Sequence, residues 1–292
     1  MPHALTVLPL RATLAAFQAA QPGLPGRQGT ALRRAASLRL AREEREVEAA
    51  IDALRQRLRQ SRDAVEVVDY GAGTGGGAKP PQRRVADVYR RAATGPAWGR
   101  FLFGLARGLR PRRVLELGTN LGVGAAHLAG ALALTEAQGG PAGQLVTLEG
   151  APRLATLAGD ALARLGHTVG EGERVEIKVG PFAETLPGVV SGGPFDLVFI
   201  DGHHEPQAAL GYLGTLRPAL APGAVVVLDD VEPGRPVRQA WRRLRATSPG
   251  PAVYLGKYGL WVSPESGARG AATGVARETE PILPATAGRP SA

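Results

Sequence analysis

The stretch VLELGTNLGVGAAHLA, residues 114–129, combines a short apolar strand, a turn with glycines at 118 and 122, and a run of helix-forming residues. A glycine turn that follows a buried strand and opens a helix reverses the chain tightly and presents backbone N–H groups to a ligand. The stretch therefore predicts the first strand–turn–helix unit of an open α/β sheet with a ligand at the turn.

A second glycine-rich stretch, VVDYGAGTGGGAK at residues 67–79, contains more glycines but lacks this context. Pro80 and Pro81 follow it, and prolines remove backbone donors and disfavour helical angles in the preceding residue. No helix opens on this turn, so we do not expect it to bind the ligand. Two interpretations stay open: a lid that brings Asp69 and Tyr70 near the ligand pocket, or a flexible connector.

Outward from residues 114–129, short apolar strands alternate with helical patterns as far as residue 263. Strands that are apolar along their whole length indicate a parallel sheet covered by helices on both faces. We predict an α/β fold, doubly wound around a mostly parallel sheet. The predicted strands are 113–117, 145–149, 175–179, 195–200, 224–229, 253–256 and 258–262, and the later helices are 151–165, 205–219 and 236–246.

The N-terminal part has strong helix formers with helical spacing of apolar residues, while the C-terminal tail shows no periodicity. We predict a helical segment over 31–60 and another from about 84 to 108. The expected organisation is a helical N-terminal extension (1–65), a Gly/Pro-rich connector or lid (66–84), the α/β domain (85–263) and a disordered tail (264–292).

Composition limits the function classes. The chain has 292 residues and no cysteine, which excludes a disulfide framework, a thiolate metal site and a cysteine nucleophile. No apolar run approaches the ~20 residues that span a bilayer, so we expect no membrane association and a cytoplasmic location. The net charge of +9 comes mainly from arginines scattered among Ala, Gly and Pro. Those arginines form either a solvated surface or a groove for an acidic substrate.

The glycine turn has the pattern Glu116-x-Gly118-x-Asn120-x-Gly122, not the G-x-G-x-x-G of dinucleotide folds. With the strand ends LVTLE, FIDGHH and LDDV, it resembles the motifs of class I S-adenosylmethionine-dependent methyltransferases over residues 85–263. The upstream DYGAG, residues 69–73, is similar to a segment in a mostly uncharacterised bacterial group of these enzymes. The resemblance implies a Rossmann-like, seven-stranded sheet whose last strand is antiparallel. It also implies S-adenosylmethionine as cofactor and a small-molecule methyl acceptor.

The resemblance also implies a set of cofactor contacts. Glu149 ends the second strand, where two carboxylate oxygens can accept hydrogen bonds from both ribose hydroxyls. Many relatives carry an acid after the third strand, where this chain has Phe182, so adenine is expected to pack on that ring. Glu116 has an alternative role as an ion-pair partner of an arginine, and Glu149 as a surface acid. The expected cofactor-binding residues are Glu116, Gly118, Thr119, Asn120, Gly122, Glu149, Phe182 and Asp201.

Two sets of groups are candidates for the chemistry. Acids at two strand ends, Asp201 with Asp229 and Asp230, resemble the ligands of metal-dependent catechol-type O-methyltransferases, and carboxylates suit Mg²⁺ or another divalent cation. The expected catalytic residues are His203, Asp201 and His204, with His203 first because an imidazole is a suitable base near neutrality. Helix capping is the alternative role for Asp201 and Asp230.

Three functions stay open. The favoured one is O-methylation of a small molecule. The second is methylation of RNA or protein, although the chain lacks an Asn/Asp-Pro-Pro-aromatic signature and has only three lysines, so we do not expect nucleic acid as a partner. The third is a non-catalytic cofactor-binding protein. A homodimer is a further expectation.

Overall fold

The computed structural model describes residues 24, 26–67 and 81–265. Two helices come first, α1 (Gly26–Ser37) and α2 (Arg42–Gln60), followed by an antiparallel pair of short strands, β1 (Ala64–Glu66) and β2 (Gln82–Arg84). The DYGAG segment lies between these two strands but outside the described residues. Its interpretation as a lid or a connector stays open.

The remaining elements alternate between helices and strands. They are α3 (Val85–Ala92), α4 (Pro96–Leu109), β3 (Arg113–Leu117), α5 (Val123–Ala137), β4 (Gln144–Glu149), α6 (Pro152–Arg164), β5 (Val175–Val179), α7 (Phe182–Val190), β6 (Phe195–Ile200), α8 (Pro206–Leu216), a 3₁₀ turn (Arg217–Ala219), β7 (Leu220–Leu228), α9 (Val237–Thr247), β8 (Ala252–Tyr254) and β9 (Gly259–Val262).

Seven strands form one sheet in the order β5-β4-β3-β6-β7-β9-β8. The pairs β3–β4, β4–β5, β3–β6 and β6–β7 are parallel, and β9 runs antiparallel to both β7 and β8. The predicted Rossmann-like sheet is confirmed, including its antiparallel last strand. The strand order reverses between β3 and β6, and the carboxyl ends of these neighbouring strands border the crevice in which ligands of such sheets bind.

Both long N-terminal helices of the prediction are interrupted. The segment predicted over 31–60 is two helices, and Leu38, between them, has a left-handed φ of 51°. The segment predicted from 84 to 108 is also two helices, α3 and α4. Gly95, the residue before Pro96, is extended with ψ 156°, because the proline ring disfavours helical angles in its predecessor. Pro96 itself then occupies the first turn of α4, where its missing N–H costs nothing.

Helix α7 was not predicted from sequence. It contains Pro187 in its interior, and a proline there argues against a helix in pattern analysis. Pro187 is the sixth of nine residues, so α7 lacks one internal hydrogen bond and ends three residues later. Helix α7 supplies Phe182 to the ligand-binding edge of the sheet.

The N-terminal helices share a hydrophobic core with the sheet domain. Leu32 and Ile51 belong to the same buried cluster as Phe101 and Leu128. Helix α1 packs closely on α4: a Cβ on Gly108 would lie 2.6 Å from the Ala31 Cα, and one on Gly104 would lie 2.9 Å from the Ala35 Cα. The predicted boundary at residue 65 therefore separates segments that pack as one unit, and the domain limits stay predictions.

Within the described ranges, every helix is too short or too polar to span a bilayer.

Candidate active site

A cavity of about 720 Å³ opens at the carboxyl ends of β3, β4, β6 and β7. It is lined by most of the residues singled out in the sequence, namely Gly118, Thr119, Asn120, Glu149, Phe182, Asp201, His203, His204, Asp229 and Asp230. Glu116 and Gly122 are not among the lining residues. The topology thus gathers side chains from four strand ends into one concave site.

The glycine turn after β3 depends on left-handed backbone. Gly118 has φ 107° and Gly122 has φ 78°. A Cβ on Gly118 would overlap the carbonyl oxygen of Asp201 and lie 2.8 Å from its carbonyl carbon. The Leu148 carbonyl accepts hydrogen bonds from the N–H groups of Gly118 (3.0 Å) and Thr119 (3.1 Å). The turn is therefore held between β4 and β6, with space only for hydrogen at position 118.

Three non-glycine residues of the site also have left-handed backbone, which is uncommon for side-chain-bearing residues. Asn120, His203 and Asp230 have φ of 50°, 51° and 57° and follow β3, β6 and β7. Such conformations cluster at functional sites, where the surrounding structure compensates for the strain. Here each one follows a strand end and lines the cavity.

Glu149 is fixed by backbone donors. Its Oε2 accepts a hydrogen bond from the Asn120 N–H (2.6 Å) and its Oε1 accepts one from the Ala151 N–H (2.9 Å). Burial raises the pKa of Glu149, and these backbone hydrogen bonds oppose the shift. The two carboxylate oxygens offer about four acceptor positions in all, which backbone N–H groups do not fill completely, and the residue lines the cavity. The side chain is buried, so the alternative role as a surface acid does not apply.

Glu116 lies beneath the glycine turn. Its Oε2 accepts a hydrogen bond from the Thr147 hydroxyl (2.6 Å), which itself lies 2.6 Å from the Thr119 hydroxyl. No arginine is a partner of Glu116 among the contacts of the described residues, so the alternative ion pair is not observed. Burial raises the pKa of Glu116 to about 8, despite the hydrogen bond from Thr147. The predicted cofactor contact would therefore be indirect, through the shape of the turn.

We expect the Glu116→Gln variant to gain stability over the wild type as pH rises. The folded pKa of Glu116 is raised from 4.5 to about 8, so between these values the unfolded chain loses a proton that the folded protein keeps. The wild type therefore loses stability as pH rises through this window, whereas neutral Gln does not. Melting temperatures of both proteins from about pH 5 to pH 8 measure the effect. A difference in melting temperature that stays constant across this range would contradict it.

An aromatic and imidazole cluster forms one wall of the cavity. The rings of Phe182 and Tyr212 pack edge to face, with 5.7 Å between their centroids. The Tyr212 hydroxyl lies 2.6 Å from His203 Nδ1, and His203 Nε2 lies 3.8 Å from Glu205 Oε2. Gly202 makes room for this wall, since a Cβ there would lie 2.9 Å from the Phe182 ring. His204 is more exposed, with its Nδ1 3.9 Å from Asp230 Oδ2.

Asp201, Asp229 and Asp230 surround a lysine that sequence reasoning missed. Lys257 Nζ hydrogen-bonds to Asp229 Oδ1 and, at 2.7 Å, to Asp230 Oδ1. Asp201 and Asp229 share a side-chain hydrogen bond, and burial raises the pKa of both. Burial lowers the pKa of Lys257, but the charges of the three acids outweigh it and hold that pKa above its usual value. The cluster is thus an ammonium among three carboxyl groups.

Neither predicted capping role is seen. Glu205, not Asp201, occupies the N-cap of α8, and Pro236, not Asp230, occupies the N-cap of α9. The backbone N–H groups that an N-cap side chain would satisfy therefore lie several residues beyond both acids. Their side chains instead belong to the cluster around Lys257.

The predicted divalent cation does not fit this cluster. Two of the three candidate ligands already bind Lys257 Nζ, and the third, Asp201, is hydrogen-bonded to Asp229. Within the residues that the structure describes, no group of three His, Cys, Asp or Glu side chains is arranged to hold a metal ion. The acids converge as predicted, but an internal cation of the chain occupies the space between two of them.

Among the other cavity residues, Arg83 is one of the arginines for which a groove was an open interpretation, whereas Arg91 and Tyr212 gave no signal in the sequence. Arg83 and Arg91 reach it from β2 and α3, and Tyr212 reaches it from α8. Lys257 was identifiable only as one of three lysines in the chain. Its position follows from the turn between β8 and β9, which is tied to the end of β7 by a hydrogen bond from the Val231 N–H to the Lys257 carbonyl (3.0 Å).

Comparison with known proteins finds similarity over part of the chain. Residues 115–231 match a family model described as a methyltransferase domain. A catechol O-methyltransferase of Mycobacterium tuberculosis is 42% identical over 142 residues, which cover 48% of this chain and 58% of that protein. Another, from Niastella koreensis, is 33% identical over 138 residues, which cover 47% of this chain and 57% of that protein. The chain spans about half the length of the curated relatives it matches.

A solved structure supports the fold. The SAH-bound methyltransferase of Podospora anserina has a TM-score of 0.50 and 19% identity, covering 61% of this chain and 81% of that one. At this identity the likeness concerns the fold alone. The family match covers the glycine turn and the acids at the ends of β4, β6 and β7. Residues 115–231 of this chain are therefore similar to a methyltransferase domain.

Proposed function

We propose that this protein is an S-adenosylmethionine-dependent O-methyltransferase that acts on a hydroxyl group of a small, catechol-like molecule. The observation that carries the proposal is the shared cavity, in which Glu149 and the glycine turn lie together with His203 and Lys257. A cofactor contact surface and groups suited to an acceptor hydroxyl thus line the same space. The two catechol O-methyltransferases among the relatives support the same substrate class.

The lining residues fit the cofactor. Asn120 Oδ1 is buried and, among the described residues, has no hydrogen-bond partner, so it can accept a hydrogen bond from the cofactor's amino group. Glu149 offers its remaining acceptor positions to the ribose hydroxyls, and Phe182 offers an apolar face to the adenine. Glu116 contributes by bracing the turn through Thr147.

S-adenosylmethionine supplies a methyl group on a positively charged sulfur. The chain has to hold the acceptor oxygen in line with it and remove the hydroxyl proton. His203 is suited to the second task. If its Nδ1–H donates to the Tyr212 hydroxyl, the Nε2 lone pair is available to accept the acceptor's proton. Glu205, 3.8 Å from Nε2, then stabilises the imidazolium.

The size of the cavity supports a small acceptor. Sites of roughly 300–1,000 Å³ hold drug-sized ligands, and about 720 Å³ suits a nucleoside cofactor with a one-ring acceptor beside it. A folded protein or an RNA duplex would have to expose a single group into this cavity. The predicted cytoplasmic location and homodimer stay predictions.

A methyl-transfer assay with catechol tests the proposal. The wild type is expected to transfer radiolabelled methyl from S-adenosylmethionine to catechol. Loss of the base in His203→Gln should lower kcat by about 10²-fold or more with little change in KM, because general base catalysis contributes on that scale. His167→Gln, which changes a histidine outside the cavity, is the matched control and should retain wild-type kcat. Failure of the wild type to methylate catechol would overturn the proposed acceptor class.

A further inference from the structure

Lys257 lies where the comparison with catechol-type enzymes led us to expect a divalent cation. Its Nζ hydrogen-bonds to Asp229 Oδ1 and Asp230 Oδ1, with the second distance 2.7 Å. The backbone fixes the lysine there, because the Val231 N–H donates to the Lys257 carbonyl at 3.0 Å. Its side chain is 26% exposed, and the residue lines the cavity. The ammonium group therefore has a fixed position in the wall of the cavity.

We propose that the Lys257 ammonium replaces the divalent cation at this site, so that the protein works without a metal ion and Lys257 binds the acceptor oxygen. An ammonium has three N–H donors. Two of them are used by Asp229 and Asp230, which leaves one for a ligand in the cavity. This second role of Lys257 rests on the proposed function.

The charges of the site favour an ammonium over a second cation. Asp230 Oδ1 lies 2.7 Å from Lys257 Nζ and is thus already paired with a positive charge. Asp229 is 5% exposed and shares a hydrogen bond with Asp201. A divalent ion on the same oxygens would lie within a few ångströms of Nζ, where repulsion between like charges is strong in a partly buried site. The lysine must therefore leave before a metal ion can bind.

The chemistry of the acceptor supports the same role. A hydroxyl oxygen gains negative charge as it loses its proton to the base and attacks the methyl group. A fixed positive donor at hydrogen-bonding distance stabilises this charge and needs no reorganisation during the reaction. The proton goes to the base and the methyl group to oxygen, so Lys257 keeps its own proton throughout.

Removal of the ammonium should create a metal site. Binding of Mn²⁺, measured by electron paramagnetic resonance on the purified full chain, is the direct readout and requires no methyl transfer. We expect Lys257→Ala to bind one Mn²⁺ about tenfold or more tightly than the wild type, because the repelling charge has gone while the acids remain. Lys178→Ala removes a lysine outside the cavity, on β5, and should bind Mn²⁺ no better than the wild type.

The outcomes separate this inference from the proposed function. Wild-type protein that binds Mn²⁺ as tightly as Lys257→Ala would overturn the inference, even if methyl transfer occurs. Failure of both Lys257→Ala and the more conservative Lys257→Gln to bind Mn²⁺, with melting temperatures near that of the wild type, would also overturn it. If the wild type has methyltransferase activity, EDTA is expected to leave its rate unchanged, and loss of the rate in EDTA with recovery in Mn²⁺ would contradict the inference.

Discussion

The Gly118→Ala variant is expected to lose cofactor binding and most of its folded population. Gly118 has φ 107°, a backbone conformation that side-chain-bearing residues rarely adopt. The added methyl would overlap the carbonyl oxygen of Asp201, with the carbonyl carbon at 2.8 Å. These atoms belong to the backbone at the end of β6, so no side chain can move aside to relieve the overlap. A loss of about 4 kcal/mol or more in unfolding free energy follows, at the upper end of single substitutions.

Thermal unfolding and titration with S-adenosylhomocysteine measure this effect. Gly211→Ala is the matched control, since Gly211 lies in α8 and a Cβ there meets no atom within 4 Å. That control should be slightly more stable than the wild type, by about 0.5–1 kcal/mol, because Ala favours helix over Gly. A Gly118→Ala protein that melts within a few degrees of the wild type and binds the ligand would show that the turn is not held as described.

The second large effect is expected for Glu149→Gln, which should weaken S-adenosylhomocysteine binding by about 100-fold or more. Each Glu149 oxygen accepts a backbone N–H, from Asn120 and from Ala151. The amide of Gln has only one oxygen, so its NH₂ group would face one of these donors. The variant thus loses the charge offered to the ribose and also disturbs the turn that carries Asn120.

Isothermal titration calorimetry of the variant and the wild type measures the loss of affinity. Glu171→Gln, a change at an exposed acid in the loop before β5, is the control and should bind like the wild type. Melting temperatures without ligand separate a binding defect from general unfolding. If Glu149→Gln and the wild type bind S-adenosylhomocysteine with affinities within about threefold of each other, Glu149 does not contact the cofactor.

The parts of the site that the sequence predicts are those set by local pattern. Gly118 directly follows one apolar strand and Glu149 ends the next. Parallel strands bring their carboxyl ends to one edge of the sheet. Their convergence in one cavity therefore follows from the alternation of strands and helices alone. The antiparallel β9 was an expectation from the family resemblance, and the structure confirms it.

The parts that were missed depend on contacts between distant segments. Lys257 is 28 residues from Asp229 in the chain, and only the pairing of β9 with β7 brings the β8–β9 turn to the acids. Acids at strand ends resemble metal ligands in sequence whether or not a lysine fills the space between them. The position of Glu116 beneath the turn could not be predicted from sequence either, because its hydrogen bond comes from Thr147 in the neighbouring strand.

Binding of the cofactor product in this cavity can be measured by calorimetric titration of the wild-type protein with S-adenosylhomocysteine. We expect saturable binding of one molecule per chain, in competition with S-adenosylmethionine, because the glycine turn, Asn120 and Glu149 line one cavity of suitable size. Absence of binding by folded protein at millimolar ligand would contradict the assignment of this cavity to the cofactor, and with it the proposed methyl transfer.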